Sequence, residues 1–223
     1  MITWPKPSQV VEIFTQEIAD AGGSVSDKFE DEASVFARAV LPHSIEVAAG
    51  DELHGGVAIR ATDADVFVHP YVFRLVCSNG AIMARAIESL HILREESFLA
   101  DDVETSLRCA IQTCCRPDAF ANATNQMRSA KHSEADMAIN LGAFFSTHRQ
   151  AIPADTLAII FRRFERARDR SAYGMMNAVT SVARDVTDPE LKWRLESLGG
   201  SIPALKRPLS RSKARRREAA LAT

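Results

Sequence analysis

Residues 71–82 read Tyr71-Val72-Phe73-Arg74-Leu75-Val76-Cys77-Ser78-Asn79-Gly80-Ala81-Ile82, and the change of pattern inside this run decides the fold. From Val66 to Cys77 the chain is rich in β-branched and aromatic residues and reads as a strand, bent or interrupted at Pro70, since proline has no N–H to give a ladder. Phe73, Leu75 and Cys77 fall on one face of that strand and Val72, Arg74 and Val76 on the other. Asn79-Gly80 is a turn dipeptide whose residues both tolerate positive φ, and Ser78 or Asn79 can cap a helix starting at Ala81. Ile82, Met83, Ala86, Ile87, Leu90 and Leu93 then recur at three- and four-residue intervals, which predicts an amphipathic helix over 81–94.

Outward toward the N-terminus the chain reads as more sheet. Val57, Ile59 and Ala61 alternate with Ala58, Arg60 and Thr62, the period of a half-buried strand, and Asp63-Ala64-Asp65 closes a hairpin. Ile45–Ala48 reads as a shorter strand ended by Gly50-Asp51, and 33–41 as the first strand, stopped by Pro42. Ser24 to Asp31 is polar and reads as loop. Val10, Val11, Phe14 and Ile18 give a helix over 9–21, capped by Ser8 and ended by Gly22-Gly23. Toward the C-terminus strand signals vanish, and helices are expected at about 101–115, 118–130, 134–149, 154–169, 171–186 and 189–197, with Gly199-Gly200 closing the folded part. The expected class is α+β: an N-terminal helix, an antiparallel sheet of four to five strands, then a long helix and a C-terminal helical region. One domain over 1–199 is expected, with its sheet at about 30–80 and its helices over 81–199, and after it a tail over 200–223.

At 223 residues with 46% apolar content the chain can bury a real core. No apolar run approaches the ~20 residues of a membrane span, and the start Met1-Ile2-Thr3-Trp4-Pro5-Lys6 has no signal-peptide pattern, so a cytoplasmic protein is expected. The formal charge of −2 hides an asymmetry: residues 200–223 carry seven Lys/Arg against one Glu, and the rest carries 20 basic against 28 acidic side chains. The tail, with Lys206, Arg207, Arg211, Lys213, Arg215, Arg216 and Arg217, has little to bury and is expected to be disordered, or helical only when bound.

The run Arg74-Leu75-Val76-Cys77-Ser78-Asn79-Gly80 resembles the Arg-(Leu/Val)-Val-Cys-x-Asn-Gly signature of a phage- and plasmid-associated family, domain of unknown function 932. Gly50-Asp51 and then Gly56-Val57-Ala58-Ile59 look like that family's strand pair, and Asn177-Ala178-Val179-Thr180 like its late Asn-Ala-Val-Thr element. The resemblance covers about residues 30–190 and departs at Ala61-Thr62-Asp63, where the family pattern has Asn-Ser-Glu. It marks Arg74, Cys77, Asn79, Gly80, Asn177 and Thr180 as motif residues, and implies an origin in mobile elements, where handling DNA is a common task.

The candidate chemistry is thin. His43, Asp51, His54, Asp63, Asp65 and His69 crowd one window with metal-ligand chemistry, but without a fixed ligand spacing, and no metal or other cofactor is expected. Cys77 with His69, or Cys109 with His91, can be drawn as a dyad, but the four cysteines read better as reduced, mostly buried thiols. Gly22-Gly23, Gly55-Gly56 and Gly199-Gly200 lack the lysine of a phosphate loop. Arg38, Arg60 and Arg74 each sit mid-strand among apolar neighbours and are expected to share a solvated or ligand-facing surface, with Tyr71 and Phe67 as stacking platforms. The competing reading pairs these arginines with the acidic body. Arg162, Arg163, Arg166 and Arg168 read as a solvated helix face.

Two functions stay open on this sequence, beside a less favoured third, an enzyme working through the His43–His69 window that would hold a metal. One is a non-enzymatic nucleic-acid-binding protein, with single-stranded DNA favoured as in recombination and annealing, able to form homo-oligomers, with Arg38, Arg60, Arg74, Tyr71 and the tail on the strand. The other is a protein-interaction or regulatory accessory module, with the tail docking an acidic surface and a sheet edge pairing with a partner strand.

Overall fold

A computed structural model describes residues 4–84, 86–94, 103–131 and 152–204. The expected helix 134–149 and the whole basic tail from Lys206 to Arg217 lie outside the described residues.

The α+β class holds: an N-terminal helix, an antiparallel sheet, then helices. Helix α1 (Pro7–Asp20) starts with proline at its first position, where a missing N–H is harmless. Its cap is Lys6, not Ser8, and Gln9 Oε1 accepts from the Lys6 N–H at 2.9 Å. Gly22, at φ 74°, ends it, with the amides of Gly22 and Gly23 returning to Ala19 and Ile18. The strands are β1 (Ser24–Glu30), β2 (Ser34–Ala48), β3 (Asp51–Thr62), β4 (Asp65–Arg74), β5 (Asn79–Ile82) and β6 (Leu90–Leu93). Their order is β1-β2-β3-β4-β5, all antiparallel, and β6 shares the outer edge of β4 with β5. Helices α2 (Val103–Cys114), α3 (Pro117–Lys131), α4 (Ala154–Arg166), α5 (Ala172–Asp185) and α6 (Pro189–Ser201) complete the described chain, apart from short 3-10 turns.

Several local expectations are corrected. Residues 81–94 are not a helix: Asn79–Ile82 and Leu90–Leu93 are strands flanking a turn-rich connection. The spacing that mimicked a helical stripe includes Ile87, which is 92% exposed, whereas Ile82 and Met83 are buried in the sheet layer. β4 ends at Arg74, and Leu75–Cys77 is a single 3-10 turn, so Cys77 is not in a strand. The positive φ of this corner falls on Ser78, at 48°, and Asn79-Gly80 already belong to β5. Ser24–Glu30 is a strand rather than a loop: as the edge of the sheet it is mostly exposed and carries no apolar alternation. Pro42 does not stop a strand. β2 runs through it, and its register against β3 shifts between Val40 and Ser44, the kind of bulge where proline is tolerated.

The sheet is covered on both faces. Val35, Ala37, Ala39, Val57, Ile59, Ala61, Val66 and Val68 pack with Val10, Phe14 and Ile18 of α1 and Leu107 and Ile111 of α2. Farther along that face, Leu53, Val72 and Ala81 meet Met127 of α3, Ile160 and Phe164 of α4, and Tyr173, Met176 and Val179 of α5. The opposite face places Phe36, Ala58, Tyr71 and Ile82 against Trp193 of α6. α6 can lie so close because Gly200 is on it: a Cβ there would sit 2.0 Å from the Ile82 carbonyl oxygen. Gly199-Gly200 thus lie within a buried helix and do not mark its end. No helix among the described residues is long and apolar enough to cross a membrane.

A polar pocket where the motif segments meet

The three strand arginines do not form a row. Side chains alternate across a sheet, and the register sets Arg60 opposite Phe36 and Phe67, Arg38 opposite Ala58, and Arg74 opposite Leu53. Arg38 and Arg60 therefore face α6, and Arg74 faces the other way. Each is also held by carboxylates. Arg38, 2% exposed, donates from Nε to Glu196 at 2.5 Å and lies 3.3 Å from Asp27. Burial opposes its charge, and the Glu196 carboxylate overrides that, holding the Arg38 pKa above its usual value. Arg60 meets Asp65 and Glu190, each at 3.1 Å, with its guanidinium over the rings of Phe36 and Phe67. Tyr71 is 4% exposed and packs on Gly80, so its ring offers no stacking platform, and Phe67 is already stacked on His91 with centroids 3.9 Å apart. The reading in which these arginines pair with the acidic body is the one the structure shows.

The motif residues, by contrast, converge. Arg74 at the end of β4, Cys77 in the 3-10 turn, Asn79 at the start of β5, Asp51 at the start of β3 and Asn177 on α5 line one cavity of about 400 Å³. Arg74 Nε donates to Asp51 Oδ1 at 2.6 Å, and its Nη1 lies 3.0 Å from Cys77 Sγ. Burial works against the Arg74 charge, and the hydrogen bond to Asp51 more than offsets it, so its pKa is raised. The second Asp51 oxygen accepts from the Tyr173 hydroxyl at 3.0 Å. Burial first, and then the Asp51 carboxylate, push the Tyr173 phenol well above its usual pKa. Asn79 Nδ2 donates to Thr180 Oγ1, whose own hydroxyl returns to the Met176 carbonyl. On α5, Tyr173, Asn177 and Ser181 are spaced by four, so one helix face delivers all of them to the cavity.

Gly80 and Gly174 are required by close approach. A Cβ on Gly80 would sit 1.9 Å from the Tyr71 hydroxyl, and one on Gly174 would sit 2.2 Å from the Asp169 carbonyl oxygen. The second contact folds the 167–170 segment against the first turn of α5, where Ser171 caps the helix by accepting from the Gly174 amide and Asp169 accepts from the Ser171 amide. That fold brings Arg168 to the cavity wall.

Two features of the cavity matter chemically. Arg74, Lys131, Arg163 and Arg168 line it against two carboxylates, Asp51 and Asp169. Arg163 is paired with Asp185 at 2.6 Å, but Lys131, over the Tyr173 ring at 5.4 Å, and the exposed Arg168 have no carboxylate partner among the described residues. Second, the amide oxygens of Asn79 and Asn177 are buried without a donor. Asn79 is 4% exposed, so its unmet acceptor is costly, about 1–3 kcal/mol, unless something from outside completes it. Sequence reasoning assigned Arg163 and Arg168 to a solvated helix face and did not single out Lys131 or Tyr173. Their convergence depends on how α3, α4 and α5 pack, which no local pattern encodes.

The other candidates are apart from this site. His43 reaches the Cys115 carbonyl, His54 lies 3.6 Å from Glu52, Asp65 holds Arg60 and Thr62, and His69 is buried under α6. Among the described residues no group of three His, Cys, Asp or Glu side chains could hold a metal. Neither drawn Cys/His pair is hydrogen-bonded: Cys77 Sγ accepts from Arg74, and His91 lies against Phe67. Cys109 is exposed rather than buried, while burial raises the Cys114 thiol strongly and the Cys115 thiol to about 11. No family model, curated protein or solved structure matches the chain, so what the pocket does is argued from its geometry.

Proposed function

We propose that the chain is a non-enzymatic nucleic-acid-binding protein that seats one nucleotide unit of single-stranded DNA in the Asn79/Asn177 pocket. A strand phosphate lies against Lys131 and Arg168, with Arg163 behind them, and N–H donors of a base edge complete the amide oxygens of Asn79 and Asn177. The observation that carries this reading is the pairing, in one cavity, of cations that have no carboxylate partner among the described residues with two buried amide oxygens that have no donor. A ligand offering an anion and a hydrogen-bond donor fits both, and a nucleotide offers them at the scale of a 400 Å³ cavity. The origin in mobile elements belongs to the same reading and rests on the residues from Arg74 to Gly80 and Asn177 to Thr180 that line or brace the cavity. The basic tail adds phosphate contacts of the counterion-release kind.

A docked partner strand is less well supported. The sheet edge β1 carries Asp27, Lys28 and Glu30, the charges that discourage edge pairing.

Native mass measurement of the full chain with and without a single-stranded oligonucleotide tests the proposal. It predicts adducts of one protein unit or an oligomer with the strand at low salt. A chain that takes up no oligonucleotide at any assembly state overturns it.

A further inference from the structure

A second cavity, of about 770 Å³, opens on the other face of the sheet between α6 and the β4/β6 pair. Among the described residues the charges of its lining cancel internally. Arg60 is bound by Asp65 and Glu190, and Arg194 donates to Glu190 at 3.1 Å, so two cations and two carboxylates of the lining satisfy one another. What remains is aromatic and hydrogen-bonding. The stacked pair of Phe67 and His91 forms part of the wall, and Trp193, its ring centroid 5.8 Å from that of His69, another part. Two polar atoms of the lining are buried without partners, His69 Nδ1 and Ser197 Oγ. His69 is only 5% exposed, and burial, reinforced by His91, lowers its pKa to about 4. It is therefore a neutral imidazole near pH 7, offering one donor and one acceptor.

Native proteins leave few buried polar atoms unsatisfied, and two in one electroneutral, ring-walled cleft point to a partner supplied from outside. We propose that this cleft binds an uncharged planar heteroaromatic group of the nucleobase type, its ring against Phe67, His91 and Trp193 and its edge hydrogen-bonded to His69 and Ser197. Among the described residues the lining leaves no cation unpaired for a phosphate, in contrast to the cationic pocket behind Asn79. The inference does not depend on strand binding there.

The test is a titration of the isotope-labelled full chain with adenosine, which carries no phosphate, read out by amide and indole NMR shifts. Saturable shifts at the Trp193 indole and around Ser197 and His91 are expected. His91→Ala, at an exposed position, should weaken binding by about threefold to tenfold, the worth of an aromatic pair. Ser197→Ala removes an unpartnered hydroxyl, so the fold should stand while affinity falls. Cyclohexanol, which has a hydroxyl but no π-face, should leave the cleft unshifted. A short oligo-dA strand distinguishes a strand base from a free nucleoside: shared cleft shifts identify the former and adenosine-only shifts the latter, both supporting a heterocycle site. Absence of cleft shifts at saturating adenosine, or binding unchanged in both His91→Ala and Ser197→Ala, overturns the proposal.

Discussion

Asn79 and Thr180 are joined by a side-chain hydrogen bond across 101 residues of sequence, fastening the start of β5 to the middle of α5 beside the cationic pocket. The bond uses the Asn79 amide nitrogen and leaves its oxygen facing no donor. Thr180→Val keeps the shape and removes the hydroxyl. The nitrogen then loses its acceptor as well, and a loss of about 1–3 kcal/mol in urea-denaturation stability is expected. No change in midpoint would mean that the two elements are fastened by apolar packing alone.

Gly80 and Tyr71 make a sharper test of the same corner. The missing Cβ of Gly80 is the space that the Tyr71 phenol occupies. Gly80→Ala should destabilise by about 1–3 kcal/mol through overpacking. In combination with Tyr71→Ala the penalty of the alanine at 80 should largely disappear, a coupling that a double-mutant cycle measures. Additive losses would place the strain elsewhere.

Arg38 and Glu196 are both almost fully buried as an ion pair. Glu196→Ala leaves the buried guanidinium only the Asp27 carboxylate at 3.3 Å and should cost up to about 3–5 kcal/mol, whereas replacing both partners by Met and Leu should cost far less. Thermal denaturation of the single and double variants gives the comparison. Equal losses would show that the charge pair, not its desolvation, sustains this face.

His69 gives a pH dependence with a defined sign. Its folded pKa, about 4, lies below the ordinary histidine value of 6.5, so the unfolded chain binds more protons between these values. Stability from this residue is present above pH 6.5 and is lost as pH falls toward 4, by up to about 3 kcal/mol. His69→Gln should be flatter than the parent over that window when denaturation midpoints are compared. Parallel curves would contradict the burial argument.

Much of the sheet was legible because its strands obey period two. Val57, Ile59 and Ala61 face one core and Ala58 and Arg60 the other side, as the alternation says. The edge strand β1 escaped because an edge with one exposed face needs no apolar alternation. Residues 81–94 misled because four-residue strands are too short to separate a period of two from one of 3.6, so Ile82 and Leu90 fit either. At the site, the motif residues Arg74, Cys77, Asn79 and Asn177 were singled out and do line one cavity, with Gly80 and Thr180 bracing it. The supposed arginine row failed on parity and ion pairing. Arg38 and Arg60 share the face toward α6, while Arg74, opposite Leu53 in the register, lies on the other face, the one that receives Asp51. Lys131 comes from α3, remote from the motifs, and tertiary packing brings it in, while Arg168 arrives through the fold of 167–170 against the first turn of α5, which no apolar period announces.

The most direct measurement is fluorescence anisotropy of a labelled single-stranded oligonucleotide titrated with the full chain over a salt series, for the parent and for Lys131→Ala/Arg168→Ala. The parent should bind at low salt and weaken linearly in log affinity against log salt, and the double variant should bind less tightly with a slope shallower by about 0.7, the loss of one phosphate contact on a single strand. A parent that fails to bind, or a double variant with the parent's affinity and slope, would contradict the assignment of the pocket.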